Sequence, residues 1–225
     1  MPNTRPEDPN CRDRGASPGD AKLARILKAS AAVFANRGYH QASMRDVSRA
    51  SGVSLSGLYY YVRGKEELLF RIQEHCFRSI LESLDDVLAD EPDPAKRLRL
   101  LIGNHLGFFL GNMKEMKVLS HEAEVLEGEY RSIVNALKRR YVDRAAGIVA
   151  ELRPRSGEDP RLATFALFGM MNWIYNWYRP DRDPPADVLA GRMFGLFVAG
   201  YTGDVPQAHD AGALAGDTRP SIWRE

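Results

Sequence analysis

Two cysteines in 225 residues, Cys11 and Cys76, are too few and too far apart to brace a fold. A disulfide framework of the kind small secreted domains rely on is therefore excluded, and a reducing cytoplasm is the predicted setting. No stretch reaches the roughly 18 apolar residues that a membrane span needs, and no charged start followed by an apolar run opens the chain. Export and a membrane partner are not expected. An excess of one charge is missing too, since 31 basic residues face 30 acidic ones for a net of +1. The totals thus neither favour nor exclude a nucleic-acid partner. No alternating strand pattern stands out, and no Gly-rich phosphate loop follows a strand. His75, His105 and His121 are scattered, with no H-E-x-x-H or Glu-x-x-His spacing around them. Metal-centred chemistry on a helical scaffold is a weak reading, so neither a cofactor nor a metal is expected. Self-similarity at periods of 20 to 50 residues is also absent, which argues against a solenoid.

An apolar content of 44% is enough to fill a core for a chain of this length. Residues 1–19 and 203–225 lack the pattern of packed elements and read as tails. Between them apolar residues recur at helical spacing, punctuated by Pro and Gly, which predicts an all-α fold of about nine helices. The first runs from about Ala21 to Arg37 with Asp20 as its cap, burying Leu23, Ile26, Leu27, Ala31, Val33 and Phe34. Ser43 caps a short second helix to Ala50, Gly52 supplies the turn, and Ser54 caps a third that reaches Tyr60. A long amphipathic helix from Lys65 to about Ala89 follows. Asp93-Pro94, Asp159-Pro160 and Asp183-Pro184 each pair a cap with a proline at the first helical position. They predict helices to about Asn112, Tyr178 and Tyr201, with two more near 115–123 and 129–152. The expected organisation is a three-helix domain at 20–64 and a helical bundle at 65–202.

Charge is distributed unevenly over this plan. From Ala21 to His75 there are nine basic and four acidic residues, an excess of +5 that the remainder offsets with −4. The same segment has the grammar of a helix-turn-helix: Val47, Ala50, Val53 and Leu58 are spaced to pack on Ile26, Ala29 and Phe34. The opposite face is left with Arg45, Ser54, Leu55, Ser56, Gly57, Tyr59, Tyr60 and Tyr61. Small residues there permit close approach to a major groove, and hydroxyls can bond phosphates. Lys65 follows at a helix start, where its ammonium and the helix N-terminus could together hold a phosphate. Short helix pairs with a Gly turn are also plain packing units, and three successive tyrosines also suit a seam between domains.

The run ASAAVFANRGYHQASMRDVSRASGVSLSGLYYYVRGKEELL, Ala29 to Leu69, resembles the signature of the TetR family of bacterial repressors over about forty residues in register. The matching points are Phe34 and Gly38 closing the first helix, Gly52-Val53 in the turn, Leu58-Tyr59 in the third helix and Lys65-Glu66-Glu67-Leu68 opening the fourth. The resemblance implies a dimeric repressor on an inverted-repeat DNA operator, released by a small effector. It further implies phosphate contacts at Ser43 and Lys65, base contacts from Arg45, Leu55, Ser56, Gly57 and Tyr60, and backbone contacts from Tyr59 and Tyr61. Two positions depart from the family pattern, which often has His at Tyr61 and Phe at Val62.

In the body the residues must speak for themselves. Phe165 to Tyr178 is apolar nearly all round, and Gly191, Gly195 and Ala199 form a small-residue groove at four-residue spacing. Phe165, Gly169, Gly191, Gly195 and Ala199 are thus candidates for a dimer interface, or for packing within one subunit. His105, Phe108, Phe109, Met113, Met116, Tyr130, Asn172, Trp173 and Trp177 form an aromatic and methionine set that suits either a core or an apolar ligand cavity. Asn172-Trp173 with Trp177-Tyr178-Arg179-Pro180 is similar to the pattern of family members that govern fatty-acid and sterol degradation. That implies an acyl-CoA effector, with Arg139 or Arg140 meeting its phosphates. An aromatic drug effector, an adaptor without a ligand, and a helical enzyme remain the other readings.

Overall fold

The structure, a computed structural model, describes residues 18–122, 125–152 and 159–203. Except for their inner ends, the two tails read from the sequence lie outside these residues. The helices are α1 (Pro18–Arg37), α2 (Met44–Ser51), α3 (Leu55–Tyr61), α4 (Lys65–Leu88), α5 (Pro94–Gly111), α6 (Met113–His121), α7 (Gly128–Ala150), α8 (Pro160–Asn172), α9 (Ile174–Trp177) and α10 (Ala186–Thr202). No strand occurs among the described residues, in accord with the all-α reading.

Local chemistry accounts for most of these boundaries. Ser43 and Asp46 form a reciprocal capping box: the Asp46 N–H donates to Ser43 Oγ at 3.2 Å, and the Ser43 N–H donates to Asp46 Oδ2 at 3.0 Å. Gly52 ends α2 at φ 66°, a left-handed conformation that glycine adopts without steric cost. Asp93 and Asp159 cap α5 and α8 ahead of a proline as expected, each carboxylate accepting a backbone N–H at 2.8 Å. The third such pair behaves differently. Asp183 Oδ2 accepts from the Arg179 N–H at 2.6 Å, closing a turn behind it, and α10 starts later, at Ala186, without a side-chain cap.

The long α4 is the spine. Its face carrying Leu68, Leu69, Ile72, Cys76, Ile80, Leu84 and Leu88 is buried between α1 on the N-terminal side and α5, α6 and α7 in the body. Fully burying one such side chain stabilises by about 1.5–3 kcal/mol, so this stripe anchors the small N-terminal unit to the bundle. Within that unit Val47, Val53 and Leu58 pack with Ile26 and Phe34, whereas Ala50, expected in the same cluster, is exposed. Glu67 shares the buried face because its carboxylate is fully used. It accepts from the Arg63 N–H at 2.8 Å and from Arg71 Nε and Nη2 at 2.9 and 2.7 Å. Burial alone would raise its pKa, but these donors outweigh it and hold the carboxyl below its usual range.

Candidate nucleic-acid interface and apolar chamber

The face predicted to read DNA is open. Arg45, Ser54, Ser56, Tyr59 and Tyr60 are exposed, Tyr60 at 84% and Tyr59 at 52%, while Leu55, Gly57 and Tyr61 are half-buried. Of the three tyrosines, Tyr61 is the one turned toward the core: it is half-buried, its ring meets that of Tyr60 edge to face, and Lys22 Nζ of α1 stands 5.7 Å from its centroid, contacts that lie within the N-terminal unit. Gly57 has a structural reason as well, since a Cβ there would come within 3.0 Å of Ser54 Oγ and Val53 Cγ1. Sequence reasoning passed over Arg49 and Arg63, two further exposed cations flanking this face.

The two residues assigned to phosphates have other partners in this structure. Ser43 Oγ donates to Asp46 Oδ2 at 2.6 Å besides accepting from the Asp46 N–H, so its hydroxyl is occupied by the cap. That hydrogen bond, with the Ser43 N–H and the nearby Arg37 and Arg49, holds the Asp46 carboxyl below its ordinary pKa. Lys65 Nζ turns inward. It donates to the carbonyls of Tyr39 at 2.8 Å, His40 at 3.2 Å and Ala42 at 3.0 Å, and lies 4.4 Å from the Tyr39 ring centroid. A lysine ammonium has three hydrogens, and three acceptors take them here. The expectation of an ammonium free for phosphate gives way to one that braces the α1–α2 turn.

That turn is also gripped from the body. Glu122, just past α6, accepts the Tyr39 N–H on Oε1 at 3.1 Å, and its carbonyl accepts from Gln73 Nε2 of α4 at 3.1 Å. Burial first, then the carboxylates of Glu66 and Glu122, push the Tyr39 phenol above its ordinary pKa. The same α6 lines a chamber of about 320 Å³ through Met116, Leu119 and Ser120. The rest of the wall comes from α4 (Cys76, Phe77, Ile80), α5 (His105, Phe108, Phe109), α7 (Lys138, Tyr141, Val142) and α8 (Phe165, Phe168, Asn172). A largely apolar pocket with a few polar groups is the usual form of a small-molecule site.

Of the predicted ligand set, His105, Phe108, Phe109, Met116 and Asn172 meet at the chamber and the others do not. Trp173 is 62% exposed and Trp177 41%, because α8 ends at Asn172 and the chain re-forms as the single turn α9. Tyr130 stacks on Phe70 at 4.3 Å, outside the chamber lining, and Met113 lines a neighbouring groove of about 740 Å³ beside α1 that shares Cys76 and Phe108 with the chamber. Tyr141, Lys138, Phe77 and Phe168 were missed. Their signal in sequence is only that of ordinary core positions. Arg140 pairs with Asp85 at 3.5 Å and Arg139 lies outside the lining, so Lys138 is the chamber's cation among the described residues. Burial, with Arg131 nearby, lowers the Lys138 pKa, and its Nζ lies 5.7 Å from the Phe77 ring. The Cys76 thiol is pushed up to about 12 by burial and by Glu115, which makes it an inert wall group.

Beside the chamber, and sharing Phe165 with its wall, an apolar stripe is uncovered. Leu162 (66% exposed), Phe165, Gly169, Met170 and Trp173 run along α8, and Leu196 (72% exposed), Gly195 and Ala199 along α10. Gly191 departs from this set, its missing Cβ pointing at Arg99 of α5 at 3.9 Å. No helix among the described residues is long and apolar enough to cross a membrane.

Comparison with known proteins follows the same division. Residues 26–72 match the family described as bacterial regulatory proteins, tetR family, and residues 91–201 match the tetracyclin repressor-like C-terminal domain. The fatty acid metabolism regulator protein of Bacillus subtilis (strain 168) is 25% identical over 185 residues, 80% of this chain and 95% of that protein. The transcriptional repressor KstR2 of Mycobacterium tuberculosis is 22% identical over 196 residues, 84% of this chain and 98% of its own. Among solved structures, AibR in complex with isovaleryl coenzyme A and operator DNA superposes with a TM-score of 0.71. It is 29% identical, covering 78% of this chain and 97% of that one.

Proposed function

Because the chain belongs to the TetR family of bacterial regulators, we propose that it is a dimeric, ligand-responsive repressor that leaves its operator when an acyl thioester fills the chamber. The observation that carries this reading is one continuous line of contacts. It runs from the chamber wall on α6, through Glu122, to the Tyr39 N–H in the turn that leads into α2 and α3. An occupant that displaces α6 therefore acts on the aim of α3. Two subunits would set their third helices in successive major grooves, about 34–36 Å apart, on an inverted repeat. A shift in that separation weakens both half-sites together.

The uncovered stripe of α8 and α10 supplies the dimer contact, since a monomer would leave Leu162, Phe165, Met170 and Leu196 in water. The chamber supports the acyl part and Lys138 an anionic group beyond it. Binding, not catalysis, is the work of these side chains: the Cys76 thiol is protonated at any ordinary pH, and the buried His105 ring is neutral with its Nδ1 paired to Tyr141. Its place of action is the cytoplasm, with the DNA. An aromatic effector is the second reading, favoured by the rings of Phe77, Phe108, Phe109 and Phe168 around the chamber.

Fluorescence anisotropy with DNA from upstream of the gene tests the proposal. Binding as a dimer to an inverted repeat is expected, weakened about 5- to 150-fold by a medium- or long-chain acyl-CoA, the range typical of allosteric coupling. Absence of any shift at low salt overturns the regulator. Indifference to every thioester, with release by an aromatic compound, replaces the first effector class by the second.

A further inference from the structure

One buried polar atom in the chamber wall has no use in the fold. His105 is 2% exposed, stacked on Phe109 with centroids 4.2 Å apart and flanked by Phe168 at 5.7 Å. Its Nδ1 lies 3.0 Å from Tyr141 Oη, but Nε2 has no hydrogen-bond partner among the described residues. A side-chain interaction with Asn172 favours a charged ring, although Nε2 is left without a formed hydrogen bond. Burial dominates and lowers the pKa to about 3, so the ring is neutral and carries one proton.

Which nitrogen holds that proton follows from counting stranded groups. If the phenol donates to Nδ1, the proton sits on Nε2 and a single N–H is left over. If Nδ1 donates to the phenol, both the phenolic hydrogen and the Nε2 lone pair are left over. Each stranded polar group carries its full desolvation penalty, so the first arrangement prevails. This part of the chamber wall therefore presents an unspent, buried N–H donor beside Asn172. A water could bridge Nε2–H to the Asn172 amide, but with Phe109 and Phe168 against the ring it would sit at the low end of the two to four polar partners it needs. A hydroxyl would satisfy the donor but bring a hydrogen of its own that needs the Asn172 amide to accept it. A carbonyl oxygen accepts and adds nothing unsatisfied.

We infer that the effector carries a carbonyl oxygen that accepts the His105 Nε2–H inside the chamber, with Tyr141 as the positioning residue that fixes the imidazole tautomer. This rests on the chamber being the effector site and deepens the reading above by naming the recognised group. A thioester, a ketone or an ester could each supply it.

Matched ligand pairs on the full-length protein separate these sources. Dodecanoyl-CoA is compared with S-dodecyl-CoA, its thioether lacking the oxygen, and 2-nonanone with nonane, by calorimetry or thermal shift. The carbonyl member is expected to bind about tenfold more tightly in whichever pair binds. His105→Phe, which keeps ring and volume, should erase that preference while still binding the carbonyl-free member. His105→Gln, which returns an amide N–H, should restore part of it. Nitrogen-15 shifts of His105 should report the Nε2–H tautomer in the free protein and a mixture in Tyr141→Phe. A preference in the ketone pair with no binding of either CoA compound keeps this inference and removes the thioester reading. Equal binding of the two CoA compounds does the reverse. Absence of binding in both pairs, survival of the preference in His105→Phe, or an Nδ1–H tautomer overturns the inference.

Discussion

Replacing Lys65 by Met separates a brace from a phosphate ligand, because the two roles move different observables. The ammonium donates to three carbonyls at 2.8–3.2 Å and stands 4.4 Å over the Tyr39 ring. Hydrogen bonds from a charged donor contribute about 1.5–3 kcal/mol each when well buried. These are half-exposed, and the freed carbonyls regain water, so the three together come to about 2–4 kcal/mol. For a chain of this length each kcal/mol shifts Tm by about 2–4 °C, which puts the expected fall at roughly 4–16 °C. The salt dependence of operator binding should not change, since no phosphate contact is lost. A direct phosphate role would instead make the slope of log K against log salt shallower by about 2 for a dimer, at about 0.9 per contact. Melting by circular dichroism, and operator titrations between 50 and 200 mM salt, measure both quantities. An unmoved Tm together with a slope shallower by about 2 would refute the bracing argument.

Three further outcomes follow from the same geometry. Glu122→Ala removes the acceptor of the Tyr39 N–H and should reduce effector-driven release to less than a third of its wild-type factor, with effector affinity held within a few-fold; unchanged release in a folded variant would count against this route. His105 has a folded-state pKa near 3 against about 6.5 unfolded, so below pH 6.5 the unfolded chain binds a proton that the folded chain refuses. Stability should therefore fall by up to about 1.4 kcal/mol per pH unit from about 6.5 downward, before most carboxylates titrate, and a urea-unfolding series should find that limb missing in His105→Phe. Leu196→Arg sets a charge on the most exposed residue of the α8–α10 stripe and should yield monomers at micromolar concentration with at least tenfold weaker operator binding, as read by ultracentrifugation and anisotropy; an intact dimer would reassign the interface.

The reading head was legible because its signals are local. Ser43, Gly52 and Ser54 act on backbone groups within four residues of themselves, so caps and turn can be read off a string of letters. What those caps leave over is not local. Lys65 meets carbonyls more than twenty positions earlier, and nothing in its neighbours announces that; only the folded turn brings them within reach. The chamber is harder still. It exists where five helices fail to fill the space between them, and His105 joins Tyr141 across 36 positions. Trp173 and Trp177 looked like ligand contacts because aromatic character was read without the break that ends α8 at Asn172 and turns both indoles outward. Asp183-Pro184 misled for a similar reason, its carboxylate serving the residue four places behind it.

The grip on Tyr39 to Ala42 has a consequence for how a signal can travel. With one N–H held by Glu122 and three carbonyls held by Lys65, this bend has little slack in which a push from the body could dissipate. Whatever the body does to this bend is handed to the N-terminal unit through these four hydrogen bonds.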